Sequence, residues 1–266
     1  MKKGILIIFF ILILLPKIFA GVQSIGTVTI NPSPINLNTG STKFVNCTAT
    51  ITDNAGWESI TTINATIWDT SASTETSTDD NNSHYTNNSC SLEENDTANS
   101  RPVTCGFSLQ HYSNPSNWTC KIRSYNASGN LASNETNTTV NSLIALDVIE
   151  ETINFGTLDL GNTSINDINS TLNNIGNVQI DTKLSGNNLS CTSGSFTKER
   201  IKYSLIFGTI YNNMTALTGT PTILDTNIAK STGAISSKLI FWKISTPDLG
   251  IGGTCSNTIT FTAESG

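Results

Sequence analysis

Six cysteines, two histidines and a few paired carboxylates are the side chains with the means for covalent or metal chemistry in this chain. The cysteines are Cys47, Cys90, Cys105, Cys120, Cys191 and Cys255. No close C-x-x-C pair exists, and His84 and His111 do not lie beside any cysteine, so the spacing excludes a zinc site and implies disulfides. A Ser-His-Asp triad would need one of the two histidines. His84 lies in a polar stretch and His111 just after a strand, both read as solvent-exposed, and no serine sits in a G-x-S-x-G elbow. Glu93-Glu94 and Glu150-Glu151 are neighbours whose side chains diverge, so they read as solvated surface. Asp79-Asp80 with Asn81 could touch calcium weakly, but the spacing is not that of an EF-hand loop and a solvated loop is favoured. Gly250-Ile-Gly-Gly253 has no following lysine or helix and reads as a turn. No catalytic, cofactor or metal residue is therefore assigned. The expectation is a protein that is not an enzyme and carries no cofactor.

The start of the chain sets the compartment in which those cysteines work. Lys2 and Lys3 precede an apolar run from Gly4 to Leu15, followed by Pro16, Lys17 and the small Ala20. This is the layout of a signal peptide over residues 1–20 with cleavage after Ala20. The apolar run is shorter than the ~20 residues of a spanning helix. Two other readings stay open: an uncleaved leader acting as the only membrane tether, and a pilin-type leader cut after Gly4, which Pro16 and Lys17 disfavour. Without the leader the chain carries 11 basic and 20 acidic residues. No basic cluster remains, so nucleic acid is not an expected partner. Other envelope proteins, or the chain itself, are. The expected location is extracellular, at the cell surface or secreted.

Only 13% of residues are charged, against roughly a quarter in ordinary soluble domains, and Asn, Thr and Ser supply the polarity. Strand alternation, not helical periodicity, organises the apolar residues. In Val45-Asn46-Cys47-Thr48-Ala49-Thr50-Ile51 the odd positions share a face and Asn46 is left outside. Ile63, Ala65 and Ile67 stand opposite Asn64, and Trp118, Cys120 and Ile122 opposite Asn117, with Trp68 facing outward as the best exposed aromatic. N-glycosylation sequons start at Asn46, Asn64, Asn81, Asn87, Asn95, Asn117, Asn126, Asn134, Asn137, Asn162, Asn169, Asn188 and Asn213. Residues 69–101 read as one long polar loop, and the pattern pauses near Asn141. The expectation is all-β: a β-sandwich over 21–142 and a second over 143–266. The first four cysteines allow three pairings. Inward faces favour Cys47 with Cys120, leaving Cys90 with Cys105 to tie the loop to its strand, and Cys191 with Cys255 in the second unit.

The run Asn46-Cys-Thr-Ala-Thr-Ile-Thr-Asp53-Asn-Ala-Gly56, with Cys105-Gly-Phe-Ser-Leu and Asn117-Trp-Thr-Cys120, resembles immunoglobulin-like modules of archaeal surface proteins. Trp118 stands two residues before a cysteine, where such folds usually carry the corner tyrosine. The second half is similar to another immunoglobulin-like module of microbial cell surfaces. Its marks are Ile153-Asn-Phe-Gly156, Asn174-Ile-Gly-Asn177-Val, a Trp-containing strand before Pro247, and Gly253-Thr-Cys-Ser-Asn-Thr-Ile-Thr-Phe-Thr-Ala263. The resemblance implies a structural glycoprotein that packs, spaces or shields at an envelope, or an adhesin working through loops or a sheet edge. Independently, the alternating Gly26-Thr-Val-Thr-Ile30 suggests a filament subunit in which residues 22–30 complete a neighbouring copy by donor-strand exchange.

Overall fold

A computed structural model describes residues 22–94 and 97–266, so the leader and the Asn95 sequon lie outside the described residues. Among the described residues nine strands precede residue 140: β1 Gln23–Ile25, β2 Thr29–Asn31, β3 Lys43–Asp53, β4 Ile60–Asp69, β5 His84–Asn87, β6 Ser91–Leu92, β7 Ser100–Leu109, β8 Asn117–Asn126 and β9 Leu131–Thr139. Eleven follow: β10 Leu146–Val148, β11 Ile168–Asn174, β12 Ile180–Gly186, β13 Leu189–Ser193, β14 Ser195–Phe196, β15 Ile201–Ser204, β16 Thr215–Ala216, β17 Thr222–Ile223, β18 Ser236–Ile244, β19 Gly252–Ser256 and β20 Ile259–Ser265. The strand pairings are antiparallel, and among the described residues no helix is long and apolar enough to cross a membrane.

In the first half, β3 pairs with β7 and β4 with β8 along nearly their full lengths, giving the sheets β1/β2–β3–β7–β6 and β5–β4–β8–β9. The alternation in β3 is the reason these sheets face each other. Val45, Cys47, Ala49 and Ile51 are buried and meet Trp118, Cys120 and Ile122 of β8 in one apolar cluster. Such a two-layer arrangement of antiparallel sheets is a β-sandwich. Residues 22–30 are not held in reserve here. They form β1 and β2 on the free edge of β3, with Ile25, Val28 and Ile30 buried in their own half. Donor-strand exchange through this segment would strip those side chains from the core they already fill.

The stretch expected as one long loop is also more structured. Within it β5 pairs with β4, β6 pairs with β7, and acidic side chains cap the turns between them. Asp80 accepts hydrogen bonds from the backbone N–H groups of Asn82, Ser83 and His84, and Asp79 accepts from the Thr86 N–H and hydroxyl. Glu75 pairs with Lys121 and Arg123. These contacts lay the loop over β4, which explains two departures from expectation. Trp68 is buried, not exposed, and His84 is 1% exposed with Nδ1 at 2.7 Å from Asp79 Oδ1. β9, unforeseen because its outer face is Asn, Glu and Thr, completes the second sheet.

In the second half, the sheet β10–β11–β18–β15–β16 faces a ribbon in which β17–β12–β20 continues as β14–β13–β19. Trp242 of β18 is fully buried at the centre, edge-on to Phe261 of β20 and tilted against Tyr203 of β15. The apolar residues of this half form a cluster separate from the first, the divide falling between Leu143 and Leu146.

Three aspartates give the fold an acid limit. Burial alone would raise the carboxyls of Asp53, Asp69 and Asp80, but hydrogen bonds outweigh it and hold all three below the ordinary aspartate range. The Asn126 amide and Ala55 N–H serve Asp53, Ser71 and Asn114 serve Asp69, and the turn N–H groups serve Asp80. A depressed folded-state pKa contributes stability above the unfolded value, which is lost as pH falls through the folded value. Thermal unfolding over a pH series is expected to give a constant melting temperature down to about pH 5 and a steady fall below about pH 4.

Candidate functional site

The cysteines are paired as Cys47–Cys120, Cys90–Cys105 and Cys191–Cys255. The first joins β3 to β8 across the core, with Cα atoms 6.6 Å apart and both residues fully buried. The second fixes the residue just before β6 to β7. The third links directly opposed positions of β13 and β19. Among the described residues no cysteine is free.

The sequons fall into three groups. Asn81, Asn117, Asn137, Asn162, Asn169, Asn188 and Asn213 are exposed. Asn46, Asn64, Asn87 and Asn134 are half-buried, and the side-chain nitrogens of Asn87 and Asn134 donate to the carbonyls of Gly106 and Gly26. Asn126 is the exception. It is 4% exposed, its Nδ2 donates to Asp53 Oδ2 at 2.9 Å, and its Oδ1 accepts from the N–H groups of Ser128 and Asn130. That side chain closes a turn, with its nitrogen bonded to a carboxylate.

No tryptophan offers a sugar platform. Trp68, Trp118 and Trp242 are buried, and Trp57 is stacked under Arg101 at 4.0 Å. His111 is also buried, and burial lowers its pKa. Trp118 does keep the corner bond that its position implied: Nε1 donates to the Asn114 carbonyl, four residues upstream, at 2.9 Å. An indole N–H thus replaces a phenol O–H. Trp118→Phe is expected to cost about 2 kcal/mol, from the lost volume and the orphaned carbonyl, as read by urea unfolding.

Two features stand out as places where the chain could act. One is a groove of about 1100 Å³ in the second half. Its floor is Leu189, Phe196 and Phe261, and the segment 149–160, which belongs to no strand, forms one wall through Ile153, Phe155 and Leu158. The other wall is the β19–β20 edge. Asn187 N–H bonds to Thr258 O and Gly266 N–H to Gln179 O, so the antiparallel alternation directs the backbone groups of Ile259, Phe261 and Ala263 away from β12, to the unpaired edge.

The second feature is the joint between the halves. Asn177, 1% exposed, donates through Nδ2 to the carbonyls of Ser113 and Asn141, both at 3.0 Å, and accepts from Leu143 N–H at 2.6 Å. Gly40 N–H reaches Ile175 O at 3.1 Å. Lys230 extends from the second half into the first, where Nζ donates to Asn82 Oδ1 at 2.9 Å, to the Tyr112 carbonyl and to Asn114 Oδ1. The motif Asn174-Ile-Gly-Asn177 was legible as a turn. Its use as a clamp on the other half was not, since the partner carbonyls lie 36 and 64 residues away.

No family model and no curated protein matches the sequence. Among solved structures, the chain is similar to the chaperone–tip adhesion subunit pre-assembly complex CsuC–CsuE from archaic chaperone-usher Csu pili of Acinetobacter baumannii, at 10% identity and TM-score 0.40, over 90% of this chain and 100% of that one. It is also similar to the C-terminal domain of the AgI/II polypeptide BspA of Streptococcus agalactiae (9% identity, TM-score 0.25, 92% and 96% covered). A third is a carbohydrate-binding module of the β-sandwich superfamily (11%, TM-score 0.26, 91% and 95% covered). At these scores none of the three bears on what this chain binds.

Proposed function

We propose that the chain is an extracellular, non-catalytic glycoprotein of the cell surface, in which two immunoglobulin-like sandwiches act as one stiff body that packs, spaces or shields at the envelope. The joint carries this reading. A swivelling pair of modules would be connected by a solvated linker, whereas here Asn177 and Lys230 each bond to several groups of the other half. The three disulfides suit an oxidising exterior, and seven exposed sequons would let glycans coat the body without touching its core. The likeness of its motifs to archaeal surface modules belongs to the same reading. Protease shaving of intact cells tests it: release of peptides from this chain, carrying modified sequon asparagines, is expected, and retention of the whole chain inside the cell would overturn it.

A second reading is favoured by the groove. An unpaired strand edge beside a cleft is the geometry that accepts an added strand, which would make the chain an adhesin or binding module. Amide hydrogen exchange of the chain in envelope fragments and after its release would decide. Protection of Phe261 and Ala263 in the envelope supports strand addition, and equal exchange in both states sinks it.

A further inference from the structure

Lys230 is placed unlike a lysine kept for its charge. Its Nζ reaches three neutral oxygens, and no carboxylate pairs with it among the described residues. One of those oxygens belongs to the Asn114 side-chain amide, whose nitrogen is bonded to Asp69 Oδ2 at 2.7 Å. Asp69 is 1% exposed, and its other oxygen is held by the N–H and hydroxyl of Ser71. Nucleophile, amide and buried carboxylate are therefore in successive contact. The backbone that carries the amide is fixed: Asn114 N–H bonds to Asn82 O at 2.8 Å, and the Asn114 carbonyl takes the Trp118 indole N–H. Pro115 makes Asn114-Pro-Ser a non-sequon, which keeps this nitrogen free of glycan.

We propose that Lys230 Nζ and Asn114 Cγ become joined by an amide bond after folding, tying the two halves together side chain to side chain. Asp69 is the catalytic residue. Lys230, losing its proton to solvent, attacks Cγ of the polarised amide as the free amine. One hydrogen then passes from Nζ to Nδ2, whose growing positive charge the Asp69 carboxylate stabilises through its bond to Nδ2, and Nδ2 leaves as ammonia with its own two hydrogens and that one. One C–N bond forms, one breaks, and nothing is oxidised or reduced. Burial lowers the Lys230 pKa, against the opposing pull of Asp69 and Asp80, and so favours the nucleophilic form. Holding the groups in contact replaces the collision that an unassisted aminolysis would require. Asn82 also touches Nζ, but its side-chain Nδ2 has no carboxylate partner among the described residues, which singles out Asn114 as the electrophile. The inference does not depend on the cell-surface reading, since the bond is a property of the folded chain alone.

Intact mass spectrometry of the reduced, enzymatically deglycosylated full chain is the test, with peptide mapping of the product. The expected mass is one ammonia below that of the sequence, with Lys230 and Asn114 in a single branched peptide. Lys230→Arg keeps a cation and its donors for the fold, and Asp69→Asn keeps the shape; both are expected at full sequence mass. A wild-type chain at full mass, with Lys230 open to an amine reagent after denaturation, would overturn the proposal. So would ammonia loss that persists in Lys230→Arg or maps to Asn82.

Discussion

Gly176→Ala is expected to lower the stability of the chain by about 3 kcal/mol, one of the largest effects of any single substitution in the protein. A Cβ on residue 176 would lie 2.1 Å from the Leu143 carbonyl oxygen and 3.0 Å from Ala145 N. Both are backbone atoms and cannot rotate aside. Relief would require the crossing strand to lift, which breaks the Asn177 N–H to Leu143 O and Ile175 N–H to Ala145 O bonds on either side of the glycine. The cost therefore includes overpacking and the unpairing of buried peptide groups. The substitution should also uncouple the halves, so that calorimetry resolves two transitions where the parent chain shows one. Gly252→Ala is the control: its Cβ would meet only the Ser193 side chain, at 3.9 Å, and the melting temperature should be unchanged within error.

Removing the Cys47–Cys120 bridge as a double alanine variant is expected to cost about 4 kcal/mol by the loop-closure relation, for a sequence separation of 73. Removing Cys90–Cys105, with a separation of 15, should cost about 3 kcal/mol. Urea midpoints of the two double variants, read with unchanged slope, give the order. Single substitutions are a different experiment. Cys47 and Cys105 are register partners on β3 and β7 and both are fully buried, so Cys90→Ser leaves a free thiol beside an existing disulfide. A fraction of that variant is expected to carry Cys47–Cys105, detectable by non-reducing peptide mapping.

The first half was largely written in its alternation. Val45, Cys47, Ala49 and Ile51, and likewise Ile63, Ala65 and Ile67, are buried where a period of two places them, because each strand has one dry face. The same rule failed at Trp68. Parity assigns a side to a residue, but it does not say whether that side is covered, and here the loop of residues 70–83 covers it. His84 was misplaced for a related reason. Local polarity suggested solvent, while the ring is buried against Asp79, five residues away. The joint was the least legible part. Lys230, Asn114 and Asp69 share no motif or spacing, and only the packing of one half on the other sets them side by side.

The bridges also dictate how the chain would answer a pull. A force transmitted along the backbone passes from Cys47 directly to Cys120 and from Cys191 directly to Cys255, bypassing the strands in between. Segments with separations of 73 and 64 residues are thus spared the load and cannot be drawn out as thread. At roughly 3.4 Å per extended residue, each bypass withholds a length far greater than the folded body. Under tension the chain would yield the stretch between Cys120 and Cys191 and the segments outside the bridges, roughly half of its contour, and then stop at the bridges.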